Sequence, residues 1–398
     1  MYFHTLDNKN DCVGVYLEGE IYYDEIPKGI SKTWSFVPYL DDRGDNEIIC
    51  ANLYDPGITL ESACPTSLSD ELREISDRLE AYRSAFEEAK VDMNENCFFS
   101  LVPEKFLLQF CEIKNKITRH VIENYEKPEN YDFLLGLARI IEEMGQRKLN
   151  IDLDPIKNKL HEFKARQWRD KLRDISPYIS YDISGTITGR LTTKRASFPI
   201  LTFPKEYRSV VKPTNDWFVE LDFNAAELRT LLALSGQPQP IEDIHQWNAK
   251  NIYKNSPTRD EAKKRIFAWL YNPDSKDRSS SKIYNRDFVL KKHWNGEQVH
   301  TFYDRIIDAD AHHALNYIIQ STTSDMFLRR MVKIHEFLRD KQSNIAFSIH
   351  DSLVIDLVDA EKHLIPEIKE IFSKTELGDF KVNISAGKDF GNMKELKI

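Results

Sequence analysis

The chain has 398 residues, 41% hydrophobic and 30% charged, with a formal net charge of −9. That is long enough for two or three cored domains and too evenly mixed for a disordered or membrane-embedded protein. It has no run of 18 apolar residues and no basic-then-apolar leader, so a cytoplasmic protein without a membrane partner is expected.

The charge is unevenly spread. Residues 1–100 hold 8 Lys/Arg against 21 Asp/Glu, a net of −13, which leaves the other 298 residues at +4. The acidic total therefore does not exclude a nucleic-acid partner for the later part of the chain. Cys12, Cys50, Cys64, Cys97 and Cys111 are odd in number and form no CxxC pair, which argues for free thiols over disulfides or zinc.

Residues 1–65 carry short β-like runs, "CVGVYLEGEIYY", "TWSFVPYL" and "EIICANLY", separated by turn formers, and predict a small β-rich module. From about Ser69 to Ile175 apolar residues recur at spacings of three and four, which predicts helices. The last of these, "DPIKNKLHEFKARQWRDKLRDI", holds seven Lys/Arg against four Asp/Glu, with Phe163 and Trp168 interleaved. It is either a solvated face or a helix laid along a phosphate backbone. From Tyr181 onward strands and helices mix; "DWFVELDF" and "NIAFSIHDSLVIDLV" are strand-like, and "NPDSKDRSSSKIYNRD" reads as a polar loop.

Asp222 and Asp351 both interrupt strand-like apolar runs, 129 residues apart. Each can be a strand-end residue making a turn or cap hydrogen bond. If both share one sheet surface they repel, unless a divalent cation neutralises them; Mg²⁺ takes hard oxygen ligands of this kind together with substrate phosphates. Between them lies "PTRDEAKKRIFAWLYN". Thr258 with Glu261 makes a capping box, so a helix starts there. Arg259, Lys263, Phe267 and Tyr271 recur every four residues, drifting about 40° per step in one slanted stripe. Two cations in the first turns oppose the helix dipole. Either the helix is an ordinary amphipathic one, or a triphosphate sits on that end and the aromatics stack on sugar and base.

These stretches resemble the motifs of family A DNA polymerases. "TRDEAKKRIFAWLYN" is similar to the fingers-helix signature Arg-x3-Lys-x3-Phe-x3-Tyr, "LDFNAAELR" to the first palm motif and "SIHDSLV" to the His-Asp-Glu motif. "TGRLTT", "DIHQWNA", "NYIIQSTTSDM" and "ISAGKDFGNMKEL" also match, in the family order, over about Tyr181 to Ile398. The resemblance implies an α+β, right-hand polymerase architecture: a palm with an antiparallel sheet, helical fingers and thumb, and the β-rich module in front. The implied divisions are 1–65 for that module, 66–180 for a helical region including the thumb, 181–240 for the first part of the palm, 241–315 for fingers and 316–398 for the rest of the palm.

By the same resemblance the activity would be template-directed DNA synthesis from a primer 3′-hydroxyl, with two Mg²⁺ ions for which Mn²⁺ could substitute. Asp222 and Asp351 would be the catalytic, metal-binding carboxylates, with the Phe223 carbonyl completing a shell. One ion would activate the 3′-hydroxyl and the other hold the triphosphate. Arg259, Lys263 and His245 would bind the triphosphate, and Glu227 would exclude a ribose 2′-hydroxyl. Tyr271 would pack on Glu227, while Phe267, without a hydroxyl, would disfavour dideoxynucleotides. Arg190, Thr188, Asn316, Gln320 and His350 would contact primer–template DNA, and Lys164 and Arg166 of the basic helix would lie at the thumb.

Four positions depart from the family pattern: Ser352 stands for its Glu, Ala225 for a Gln, Asn272 for a Gly and His312 for an Arg. Ser352 predicts slower or metal-sensitive catalysis. No 3′–5′ exonuclease or 5′ nuclease is expected, and the acidic first hundred residues are either a vestigial exonuclease-like module or a docking surface for a replication or repair protein. The rival readings are a single-subunit RNA polymerase, against which Glu227 argues, and a polymerase-like DNA-binding protein with weakened catalysis.

Overall fold

The computed structural model describes residues 1–9, 11–41, 48–93, 95–253, 258–272 and 275–397. The chain divides into two compact units, residues 1–146 and 147–398, and the division falls inside the helical stretch 66–180.

The first unit begins with strands β1 (Phe3–Asn8), β2 (Asp11–Leu17) and β3 (Glu20–Tyr22), joined as an antiparallel meander. Helices α1 (Ser69–Glu88), α2 (Glu104–Asn124) and α3 (Tyr131–Gln146) follow. On α2, Phe106, Phe110, Ile113, Ile117 and Val121 recur at helical spacing and bury against Leu6 and Tyr16 of the sheet. The other two β-like runs make little sheet. "TWSFVPYL" starts a turn of helix at Pro38, where the fixed proline φ suits a helix start, and "EIICANLY" closes into a tight helical turn at Ala51–Leu53. All five cysteines are free.

The second unit starts with a short strand, Asn150–Ile151, and the basic stretch that follows is not one helix: a single helical turn at Asp154–Lys157 gives way to turns before α4 (Phe163–Asp174). Its central strand is β4 (Trp217–Phe223), in which Val219, Leu221 and Phe223 are buried while Glu220 and Asp222 are half-buried, the period-two alternation of a sheet with two unlike faces. After it come α5 (Ala226–Leu234), α6 (Ile244–Asn251) and α7 (Arg259–Tyr271). The capping box at Thr258 and Glu261 is formed from both sides.

The polar stretch after Asn272 corrects the loop reading. Residues 273–274 lie outside the described residues, but Arg278–Tyr284 is helix α8 and Arg286–His293 is helix α9. Asp277 accepts from the Ser279 and Ser280 amides, so an Asx cap starts α8, and Ser280 and Tyr284, one turn apart, are fully buried. Low hydropathy hid a helix whose buried residues are one serine and one tyrosine.

The long helix α10 (Ala314–Leu338) is buried along most of its length. Strands β5 (Asn344–Ile349) and β6 (Ser352–Leu357), helix α11 (Ile365–Ser373), and strands β7 (Val382–Gly387) and β8 (Lys394–Glu395) complete the unit. The sheet order is β5-β6-β4-β7-β8, antiparallel throughout. "NIAFSIHDSLVIDLV" is therefore not one strand but a hairpin: Ile349 pairs with Ser352, and His350, at φ 52°, and Asp351 make the turn. Among the described residues no helix is long and apolar enough to cross a membrane.

Candidate active site

Sheet register fixes the two carboxylates. Asp222, next to last on β4, lies opposite Ser352 on one side and Asn383 on the other. Asp351 immediately precedes Ser352, so the hairpin turn brings it beside the end of β4. Burial pushes the Asp222 carboxyl up to about 6, helped by Glu220 and Asp351 and opposed by a hydrogen bond from Asn383. Burial also raises Asp351, with Arg190 working against it and Glu227 with it. Two hard-oxygen donors that resist ionisation together are what a divalent cation relieves. Among the described residues no group of three or more His, Cys, Asp or Glu is arranged around one metal position, so these two carboxylates would need the Phe223 carbonyl and ligand oxygens to complete a shell. The Phe223 ring itself is buried, stacked on Phe372 at 4.3 Å, so only its backbone is available.

Beside Asp351, Arg190 pairs with Glu227 at 2.5 Å, and the Tyr271 hydroxyl donates to the other Glu227 oxygen. The loop carrying Arg190 is held at two points. Tyr181 hydrogen-bonds both the amide and the carbonyl of Ser348 on β5. Gly189 sits at φ 76° with the Arg305 guanidinium where a Cβ would go, at 2.5 Å, so only glycine fits there. Arg305 is itself locked to Asp325. A cleft of about 360 Å³ runs past Arg190, Leu201, Phe327, His350 and Asp351.

Helix α7 extends the site. Phe267 and Tyr271 stack at 5.9 Å with planes 6° apart, and His245 of α6 lies 5.7 Å from Phe267. His245 is 3% exposed, and burial first, then Arg259, Lys263 and Arg229, push it down to about 4 in spite of Asp243, so it is neutral near pH 7. Arg259 is engaged by Asp243, at 3.0 and 3.2 Å. Burial alone would raise Asp243; Arg259, Asn224 and the α6 amides together hold it well below the carboxylate range. The site thus runs from Asp222 and Asp351, through Arg190, Glu227 and Tyr271, to Phe267, His245, Lys263 and Arg259.

Comparison with known proteins bears on the fold. No family model matches the chain. DNA polymerase I of Chloroflexus aurantiacus is 24% identical over 277 residues, covering 56% of this chain. The chain spans only 29% of that relative's length. Among solved structures, the POL domain of Pol1 from M. smegmatis, in complex with DNA primer-template and dNTP, superposes with a TM-score of 0.67 at 11% identity. That match covers 98% of this chain and 95% of the other. The fold is that of a DNA polymerase POL domain.

Within this polymerase fold the remaining candidate residues are dispersed. Thr188 is buried, 5% exposed, and Gln320 and Asn316 are half-buried on α10, with the Asn316 side-chain oxygen lacking a protein partner. His350 is exposed at the hairpin turn. Lys164 is exposed on α4, whereas Arg166 folds back to the Leu160 and His161 carbonyls at 2.7 and 3.1 Å, which ties up part of its donor set. Ser352 lies within 3.0 Å of both Glu220 and the Ile349 carbonyl.

Three residues near the centre escaped the sequence reading. Glu220 shares the open face of β4 with Asp222, and its carboxylate is met by Ser352 and Ser385. Asn224 bridges β4 to Asp243 at 2.8 Å. Asp243 caps α6; an Asp directly before a helical run signals a cap, but not its second partner on another helix.

Proposed function

We propose that this chain synthesises DNA on a template, adding deoxynucleotides to a primer 3′-hydroxyl with release of pyrophosphate. The observation that carries the reading is the meeting of Asp222 and Asp351 at the end of one sheet, facing Arg190, Glu227 and Tyr271, within a polymerase-domain fold. Asp222, Asp351 and the Phe223 carbonyl would hold Mg²⁺ or Mn²⁺, which supplies charge neutralisation at the attacking and leaving oxygens.

The protein's own groups divide the remaining tasks. Lys263 and Arg259 bind the triphosphate at the α7 N-terminus, and neutral His245 adds a hydrogen bond there. Glu227, fixed by Arg190 and Tyr271, occupies the space a 2′-hydroxyl would need. Tyr271 and Phe267 form the stacked wall against which the new base settles. Thr188, Arg190, Asn316, Gln320 and His350 contact the primer–template, where minor-groove acceptors are nearly the same for every base pair. On α4, Lys164 and Arg166 meet its phosphates.

Residues 1–146 do not proofread in this reading. Their acids are spread over helix surfaces and engage neighbours, as in Arg73–Asp70 and Lys116–Glu71. Their surface instead suits a basic face of a replication or repair protein. The test is extension of a defined primer–template with Mg²⁺ and, separately, with Mn²⁺, using deoxynucleotides in one reaction and ribonucleotides in another. Extension with deoxynucleotides alone is expected. Extension with ribonucleotides would favour an RNA polymerase, and none with either metal would favour a DNA-binding role.

A further inference from the structure

We infer that Asp243 competes with the incoming triphosphate for Arg259 and so sets how tightly the site holds nucleotides. This rests on the reading of Arg259 as a triphosphate ligand.

The Arg259 Nε and one terminal nitrogen meet the two Asp243 oxygens at 3.2 and 3.0 Å. This two-pronged pairing is the geometry by which a guanidinium also takes a phosphate. The other terminal nitrogen reaches Asp260, at 3.4 Å, on the exposed side. A phosphate that needs the fork of Arg259 therefore has to displace Asp243. Lys263, one turn along, makes no ion pair among the described residues, so the two cations of the stripe are not equivalent.

Asp243 is built to let go. Its carboxylate keeps three other donors: the His245 and Gln246 amides, each at 3.0 Å, and the Asn224 side chain at 2.8 Å. Arg259 can leave without stranding a half-buried charge. Arg259 loses little as well, because it stands at the first position of α7, where the helix dipole disfavours a cation until an anion arrives.

The alternative is that the pair merely ties α6 to α7. Equilibrium binding of inorganic tripolyphosphate and of a deoxynucleoside triphosphate to the full chain, with Mg²⁺, separates the two. The proteins compared are wild type, Asp243→Asn, Arg259→Ala and the double variant. Competition predicts that Asp243→Asn binds both probes roughly two- to fivefold more tightly, the scale of a partly exposed ion pair. It also predicts no such gain in the Arg259→Ala background. Asp243→Ser, which keeps a capping hydroxyl, should behave in the same way, and melting curves report whether either variant is folded. Unchanged or weaker binding by folded Asp243 variants overturns the proposal. Wild-type binding by Arg259→Ala would instead overturn the assignment of Arg259 to the triphosphate.

Discussion

The Tyr271 hydroxyl donates to Glu227 while Arg190 grips the other oxygen of the same carboxylate at 2.5 Å. One acid thus fixes the end of α7 and the loop before Leu191 together. Removing it loosens both and opens the space beneath a sugar. Glu227→Ala should raise ribonucleotide use relative to deoxynucleotide use by roughly 10- to 200-fold, the range that a pocket wall supplies. Competing single-nucleotide insertion reads this directly. An unchanged ratio would remove Glu227 from sugar selection.

Arg229 is a structural counterpart. It is fully buried and donates to the Asn224 carbonyl and side chain, the Pro240 and Glu242 carbonyls and Gln239. Arg229→Met strands those acceptors, so the 147–398 unit should lose about 3–5 kcal/mol. Urea unfolding should show this as a lower midpoint, and a loss under about 1 kcal/mol would contradict it.

His245 gives the site a pH signature. Its folded value, about 4, lies below its ordinary value, so the unfolded chain binds a proton that the folded chain refuses. Asp243, Arg259, Lys263 and Arg229 all face the ring. The stability held above about pH 6.5 is therefore lost as pH falls towards 4, by on the order of 2–3 kcal/mol. Comparing urea midpoints at about pH 7 and about pH 5, the drop should be smaller for His245→Gln than for wild type. Equal drops would show that the ring does not titrate as described.

Phe267 lies between His245 and Tyr271, with no hydroxyl to stand in for a missing 3′-hydroxyl. Phe267→Tyr should improve dideoxynucleotide incorporation at least about tenfold, because the added hydroxyl supplies the hydrogen bond that the missing 3′-hydroxyl would otherwise make, worth roughly 1.5–3 kcal/mol to a charged group. Chain-termination assays at matched deoxynucleotide concentrations measure it.

The parts of this site that were legible in the sequence are local ones. The α7 stripe is set by a capping box and a four-residue repeat, and β4 by alternation, so Arg259, Lys263, Phe267, Tyr271 and Asp222 could be placed within a few residues. Misreadings arose where tertiary packing decides. His350 and Asp351 look like strand interior until pairing makes them a turn, and α8 has too little apolar surface to announce itself. Asp243 was passed over because its partner, Arg259, comes from a separate helix 16 residues on. No periodicity encodes that distance.

In the proposed reading Asp222 and Asp351 together support nucleotidyl transfer. Primer extension by wild type, Asp222→Asn and Asp351→Asn, run beside a DNA-binding titration of each, tests it most directly. Wild type should extend with deoxynucleotides, and each variant should lose at least about 1,000-fold in rate while binding primer–template within about twofold of wild type. Synthesis retained by either variant would contradict the account.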